Sequence, residues 1–166
     1  MRVLITGGYG FIGAWIIKNL LARGDQVWVY DLREDPRRLK PILPDDEVAK
    51  VAFVQGDVTN LAGLQDALGR HRISHVIHLA GLQVPTCRAN PLLGATVNVV
   101  GTLCVFEAVR LAGEQVSRLV YASTAAVFGP PDHYPVGPLA DDVKLMPATH
   151  YGHFKVCNEG NAAVYF

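Results

Sequence analysis

Thr6-Gly7-Gly8-Tyr9-Gly10-Phe11-Ile12-Gly13 follows the short apolar run Val3-Leu4-Ile5 and opens a stretch where Ile12, Trp15, Ile16, Leu20 and Leu21 recur at helical spacing until Gly24. The pattern reads strand, glycine turn, helix. Its glycines satisfy G-x-G-x-x-G through Gly8, Gly10 and Gly13, and G-x-x-G-x-x-G through Gly7, Gly10 and Gly13. A turn of this kind lets backbone approach a pyrophosphate, and the helix that follows offers free N–H groups and the positive end of its dipole. Glycines before a helix are weak evidence alone, since a tight turn needs them anyway. Here Asp31 stands directly after the next apolar run, Gln26 to Tyr30, where a carboxylate can accept hydrogen bonds from both hydroxyls of an adenosine ribose. The combination points to a dinucleotide. Asp31 would repel a 2′-phosphate and favours NAD over NADP, although Arg33 nearby pulls the other way.

Outward from the turn the alternation continues. Val51 to Gln55 reads as a third strand, Leu61 to Arg70 as a helix, Ser74 to Leu79 as a fourth strand, Ala95 to Ala112 as one long helix, and Arg118 to Ser123 as a fifth strand. Nearly continuous apolar strands alternating with helices predict an α/β fold with a parallel sheet covered on both faces. The charged stretch from Asp31 to Lys50 begins as loop and has room for a short helix. Gly129 to His150, rich in proline and aspartate, is a long irregular segment of the kind that carries function.

Composition excludes several classes. The chain has 166 residues, half of them hydrophobic, enough for the core of one domain over 1–166 and too few for two. Fifteen basic and fifteen acidic residues cancel, which argues against nucleic acid or an anionic membrane as partner. Cys87, Cys104 and Cys157 are odd in number and far apart, so reduced thiols packed in a core, in a cytoplasmic protein, are expected. His71, His75 and His78 read as structural rather than metal-binding. Met1-Arg2 leads straight into a strand, so no signal peptide is expected, nor an apolar stretch long enough to span a bilayer.

Tyr151 and Lys155 stand four apart, so on a helix both side chains share one face about one turn apart. An ammonium beside a phenol favours phenolate. That shift moves a group titrating near about 10 toward use as a general base near neutral pH. A lone pair at this spacing is ordinary on helix surfaces, and it gains meaning only from the glycine turn and Asp31.

The chain resembles the extended short-chain dehydrogenase/reductase family, the NAD-dependent sugar epimerases and dehydratases. The resemblance rests on Thr6 to Gly13, Asp57-Val58, His78-Leu79-Ala80-Gly81, Asn98-Val99-Val100-Gly101-Thr102, Ser123-Thr124-Ala125-Ala126-Val127-Phe128-Gly129 and Tyr151-Gly152-His153-Phe154-Lys155, six motifs in order along the chain. It implies a Rossmann-type doubly wound sheet of about five strands in order 3-2-1-4-5. It also implies NAD contacts at Gly7, Gly10, Phe11, Ile12, Gly13, Asp31, Asp57, Val58, Leu79, Ala80, Gly81, Asn98, Ser123, Tyr151 and Lys155.

By the same resemblance Tyr151 is the acid/base, Lys155 lowers its pKa and holds the nicotinamide ribose, and Thr124 hydrogen-bonds the reacting oxygen. Read from residues alone, Thr124 is a strand-end hydroxyl capping backbone, and Asn98 ties backbone together near the catalytic helix. Sugar 4,6-dehydratases carry an acidic pair directly after the catalytic Thr. Here Ala125-Ala126 occupies that place and can neither give nor accept a proton, so dehydration is not expected. Reversible oxidation of a secondary alcohol on a sugar or nucleotide sugar remains, as an epimerase or as a sugar dehydrogenase. A homodimer through the helices carrying Asn98 and Tyr151 is further implied. Family members are about twice this length. The expectation is therefore a fragment lacking a substrate lobe, with a truncated NAD-binding module without turnover, or a half completed by another chain, as alternatives.

Overall fold

The computed structural model describes residues 1–165, and Phe166, read from sequence as the end of the last helix, lies outside them. The apolar runs pair in parallel as β1 (Arg2–Thr6), β2 (Gln26–Asp31), β3 (Ala52–Gln55), β4 (His75–His78) and β5 (Arg118–Tyr121). They form one sheet in the order β3-β2-β1-β4-β5, as expected. Ile5 at its centre pairs with Val29 on one side and Ile77 on the other. Val3 to Thr6 and Val27 to Tyr30 are buried residue after residue, because both sheet faces are covered and neither needs a polar alternate position. The parallel register brings the carboxyl ends Thr6, Asp31 and His78 to one edge of the sheet, the edge at which open α/β sheets take their ligands.

The helices are α1 (Phe11–Ala22), α2 (Asp45–Val48), α3 (Leu61–Arg70), α4 (Val84–Ala89), α5 (Pro91–Ala95), α6 (Gly101–Ala112) and α7 (His150–Tyr165). The chain divides into two compact units, Met1–Gly81 with Cys104–Ala122, which holds the sheet, and Leu82–Leu103 with the segment from Ser123 onward.

Several expectations need correction. Of the apolar residues that recur along α1, Ile12 and Trp15 are 61% and 45% exposed, whereas Leu20 is buried and Ile16 and Leu21 pack against the core. Gly13, Ala14 and Ile17 complete the buried face. The cause is Gly13, whose contact with the Gly8 backbone turns that side of the helix inward. The single helix expected from Ala95 to Ala112 is α5 and α6 joined by a π-helical turn, Thr96–Val100, and α4 has no counterpart in the sequence reading. Strand β5 stops at Tyr121, two residues before its expected end. Cys87 is buried as expected, but Cys157 is exposed on α7. The helical run Pro91–Gln115 is long and apolar enough to cross a membrane by length and composition, contrary to the sequence reading. Val105, Phe106, Ala108 and Val109 within it are buried, as in a core helix of a packed domain.

His78 and His71 make packing and hydrogen-bond contacts within the fold. His78 is 2% exposed and its Nδ1 lies 2.6 Å from Thr6 Oγ1, while the same hydroxyl accepts from the Ala80 N–H at 3.3 Å. His71 packs on Trp28, with ring centroids 5.6 Å apart. Removing a buried hydroxyl while its partners stay costs their desolvation. Thr6→Val is therefore expected to destabilise the protein by about 1–3 kcal/mol, measured by denaturant unfolding.

Candidate functional site

In the sheet-bearing unit the glycine turn leaves β1 and enters α1. Gly7 adopts φ +66°, in the left-handed region, and its N–H donates to the Tyr30 carbonyl at 3.1 Å. The Gly10 N–H donates back to the Gly7 carbonyl at 3.0 Å, which closes the turn. No side chain caps α1, and its first turn carries no acidic residue. The N–H groups at its start are thus open to an anion rather than already satisfied. Phe11, 72% exposed, and Ile12 stand beside them.

Asp31 ends β2 half-buried, with Oδ1 accepting from the Leu32 N–H at 2.8 Å. Burial pushes its carboxyl pKa up, against the opposing pull of that hydrogen bond and of Arg33. Asp57 is exposed and accepts from the Thr59 N–H and hydroxyl at 2.9 and 2.8 Å, whereas Val58 is buried. Leu79, Ala80 and Gly81 continue from the end of β4, and the Leu79 N–H donates to the Thr6 carbonyl at 3.0 Å. Residues expected to hold a dinucleotide thus gather at the carboxyl edge of one sheet. A Cβ-free cradle, uncapped helix N–H groups and a strand-end carboxylate fit a pyrophosphate and a ribose diol.

In the second unit α7 carries Tyr151 and Lys155, the pair expected to handle the proton. Tyr151 is half-buried and Lys155 is 7% exposed, with Nζ 5.9 Å from the Tyr151 ring centroid, as the spacing of four predicts. Burial lowers the Lys155 pKa from the usual lysine value. Thr124 precedes the 3₁₀ turn Ala125–Val127, and its Oγ1 accepts from the Ala126 N–H at 3.2 Å. This is the backbone cap that residue-level reading favours, and it leaves the hydroxyl proton available to a ligand. Gly152 lets α7 close on that turn, because a Cβ there would run into the Ala126 carbonyl. Tyr151, Lys155 and the Thr124 turn are therefore assembled on one helix and its neighbour.

A cavity of about 430 Å³ opens in the same unit, lined by Arg88, Thr149, His150 and His153 among others. Tyr151 and Thr124 do not line it. His150 and His153 lie on another face of α7 from Tyr151 and Lys155.

Two groups of residues brace the pair. Asn98 is 1% exposed, its Oδ1 accepting from the Leu82 N–H at 2.7 Å and its Nδ2 donating to the Leu82 carbonyl at 2.9 Å. Its Nδ2 also donates to Cys87 Sγ at 3.3 Å, so the side chain ties together the backbone and side chains around it. The Asn98 carbonyl accepts from the Thr102 hydroxyl at 2.7 Å and from Asn158 Nδ2, on α7, at 2.8 Å. The bond from Asn158 ties α7 to the π-helical turn. Asn158, fully buried, went unnoticed in the sequence, as did Glu159, whose Oε1 accepts from the Ser123 hydroxyl. Glu159 could have been found, since it extends the spacing of Tyr151 and Lys155 by another four.

A parallel sheet in this order, a glycine turn on its first strand and a Tyr–Lys pair on a helix define the dinucleotide-dependent short-chain oxidoreductase class. The family model described as GDP-mannose 4,6 dehydratase matches residues 4–165, and the chain belongs to that family, within the extended short-chain dehydrogenase/reductases. It is 39% identical over 131 residues to a UDP-glucose 4-epimerase of Klebsiella pneumoniae, covering 78% of this chain and 93% of that one. The UDP-glucose 4-epimerase of Thermus thermophilus in complex with NAD superposes with a TM-score of 0.82 at 35% identity, over 99% of this chain and 50% of that one. The Stenotrophomonas maltophila UDP-glucose-4-epimerase with bound NAD and formylated UDP-arabinopyranose gives 0.86 at 30% identity, over 99% and 48%. The chain also spans 38% and 49% of the length of two further curated UDP-glucose 4-epimerases, so against these relatives it covers half or less.

Proposed function

We propose that this chain is the cofactor-binding and proton-handling part of an NAD-dependent epimerase acting on a nucleotide sugar, a UDP-hexose in particular. The observation that carries the reading is the Tyr151–Lys155 pair on α7, ammonium over phenol ring, with the Thr124 turn packed on the same helix. The similarity to UDP-glucose 4-epimerases favours epimerisation over net dehydrogenation.

In this reading Gly7, Gly10, Phe11, Ile12 and Gly13 hold a pyrophosphate on the N–H groups of α1, and Asp31 holds the adenosine ribose. Asp57, Val58, Leu79, Ala80 and Gly81 complete the nucleotide site. NAD supplies a reversible hydride acceptor when bound. Tyr151 takes the proton from the substrate hydroxyl as that carbon is oxidised, and returns it when the ketone is reduced from the opposite face. Lys155 places its ammonium against the Tyr151 ring, and Thr124 donates its hydroxyl proton to the reacting oxygen. Ala125 and Ala126 offer no acid or base next to Thr124, which argues against loss of water from the sugar. The exposed Leu92, Leu93, Val100 and Val164 support a homodimer contact through the helices carrying Asn98 and Tyr151.

Calorimetric titration with NAD and NADP, followed by an assay for interconversion of UDP-glucose and UDP-galactose, tests the proposal. NAD bound in preference to NADP, with epimer formed and no net NADH released, is the expected result. Net NADH with a ketone product would favour the sugar dehydrogenase. Binding without turnover on any nucleotide sugar would leave a nucleotide-binding module.

A further inference from the structure

We infer that Glu159 is a positioning residue, fixing Thr124 against Tyr151 through its hydrogen bond with Ser123; the inference rests on the acid/base reading above. Tyr151, Lys155 and Glu159 follow one another at steps of four along α7, so the three side chains form a single stripe over two turns. At the far end of that stripe Glu159 Oε1 accepts from the Ser123 hydroxyl. Ser123 is the residue before Thr124, and Thr124 begins the turn Ala125–Val127 by capping the Ala126 N–H.

The segment 123–127 is thus fastened to α7 at two places. One is the Ala126 carbonyl against Gly152, beside Tyr151. The other is Ser123 on Glu159, two turns along. Thr124 lies between the fastenings. With only the first, the segment could pivot about Gly152 and carry the Thr124 hydroxyl along α7, away from the position that the acid/base reading requires of it. A charge-assisted hydrogen bond to a carboxylate is about twice as strong as a neutral one, which suits an end that must not slide. None of this requires Glu159 to touch substrate or cofactor.

The test compares Glu159→Ala, Glu159→Gln, Ser123→Ala and the double variant Glu159→Ala with Ser123→Ala, all in the intact chain. Misplacing a hydrogen-bonding group by about 1 Å costs on the order of 10²-fold. Glu159→Ala and Ser123→Ala should each lower kcat by about 10- to 100-fold with KM for the nucleotide sugar nearly unchanged. The double variant should be no worse than either single, because both remove one bond. Glu159→Gln keeps an acceptor for Ser123 and should recover most of the loss.

Amide hydrogen exchange supplies a readout without cofactor or turnover. The Ala126 N–H should exchange faster in Glu159→Ala and return toward wild type in Glu159→Gln. Unchanged kcat and Ala126 exchange in Glu159→Ala would overturn the inference, as would full additivity of the two single variants. If the wild-type chain turns over no nucleotide sugar, the functional reading falls, and the exchange data alone decide whether the fastening exists.

Discussion

Tyr151→Phe is expected to lower kcat by about 10²–10⁴-fold, the usual contribution of a positioned general acid or base, with KM and NAD affinity within a few fold of wild type. The substitution removes one oxygen and its proton. The ring stays, and with it the contact to Lys155, whose Nζ lies 5.9 Å from the ring centroid. Packing of α7 does not depend on the phenol oxygen either, since Gly152 and Asn158 make its close contacts with the Thr124 turn and with Asn98. A thermal melt superimposable on wild type, beside a collapsed turnover, therefore separates chemistry from folding. Retention of more than a tenth of wild-type kcat would remove Tyr151 from the role of proton carrier. The loss should appear equally in both directions of the interconversion, because in the proposed mechanism one phenol both takes and returns the proton.

The sheet was legible in the sequence because its signals are local. Val3-Leu4-Ile5, Gln26 to Tyr30 and Val76-Ile77 are runs that only a two-sided burial explains, and the glycine turn marks where β1 hands over to α1. The Tyr151–Lys155 contact was legible for the same reason, since helix geometry alone brings residues four apart together.

What escaped depends on partners distant in the chain or on backbone contacts that hydropathy does not report. The exposure of Ile12 and Trp15 escaped because Gly13 packs close against Gly8 and sets which side of α1 turns inward, and a glycine scores as nothing in an apolar pattern. The π-helical turn at Thr96–Val100 was read as ordinary helix because hydropathy does not report hydrogen-bond register, and its tie to Asn158 comes from sixty residues on. The hydrogen bond between Ser123 and Glu159 went unforeseen because Glu159 belongs to no named motif.

Gly13→Ala should be the most damaging single-carbon change in the cofactor half, destabilising the protein by about 3 kcal/mol, the upper end for an overpacked site. The added Cβ would overlap the Gly8 carbonyl, and Gly8 is itself confined, since a Cβ built on it meets Val29 and Ile5 side chains. Backbone held between β1, β2 and α1 has nowhere to move without breaking the Gly7 and Gly10 hydrogen bonds that close the turn. NAD binding should weaken by more than tenfold, equivalent to about 1.4 kcal/mol, because tilting α1 turns its leading N–H groups away from an anion. Gly69→Ala is the matched control. Gly69 lies in α3 with nothing within 4 Å of its added Cβ, so helix propensity alone acts and the change should stabilise by about 0.5–1 kcal/mol. Denaturant midpoints and calorimetric NAD titrations on both variants check the pair. If Gly13→Ala unfolds at the wild-type midpoint yet loses NAD, the glycine serves ligand approach rather than helix packing. If stability and binding both match wild type, the close contact between α1 and the turn does not govern the site.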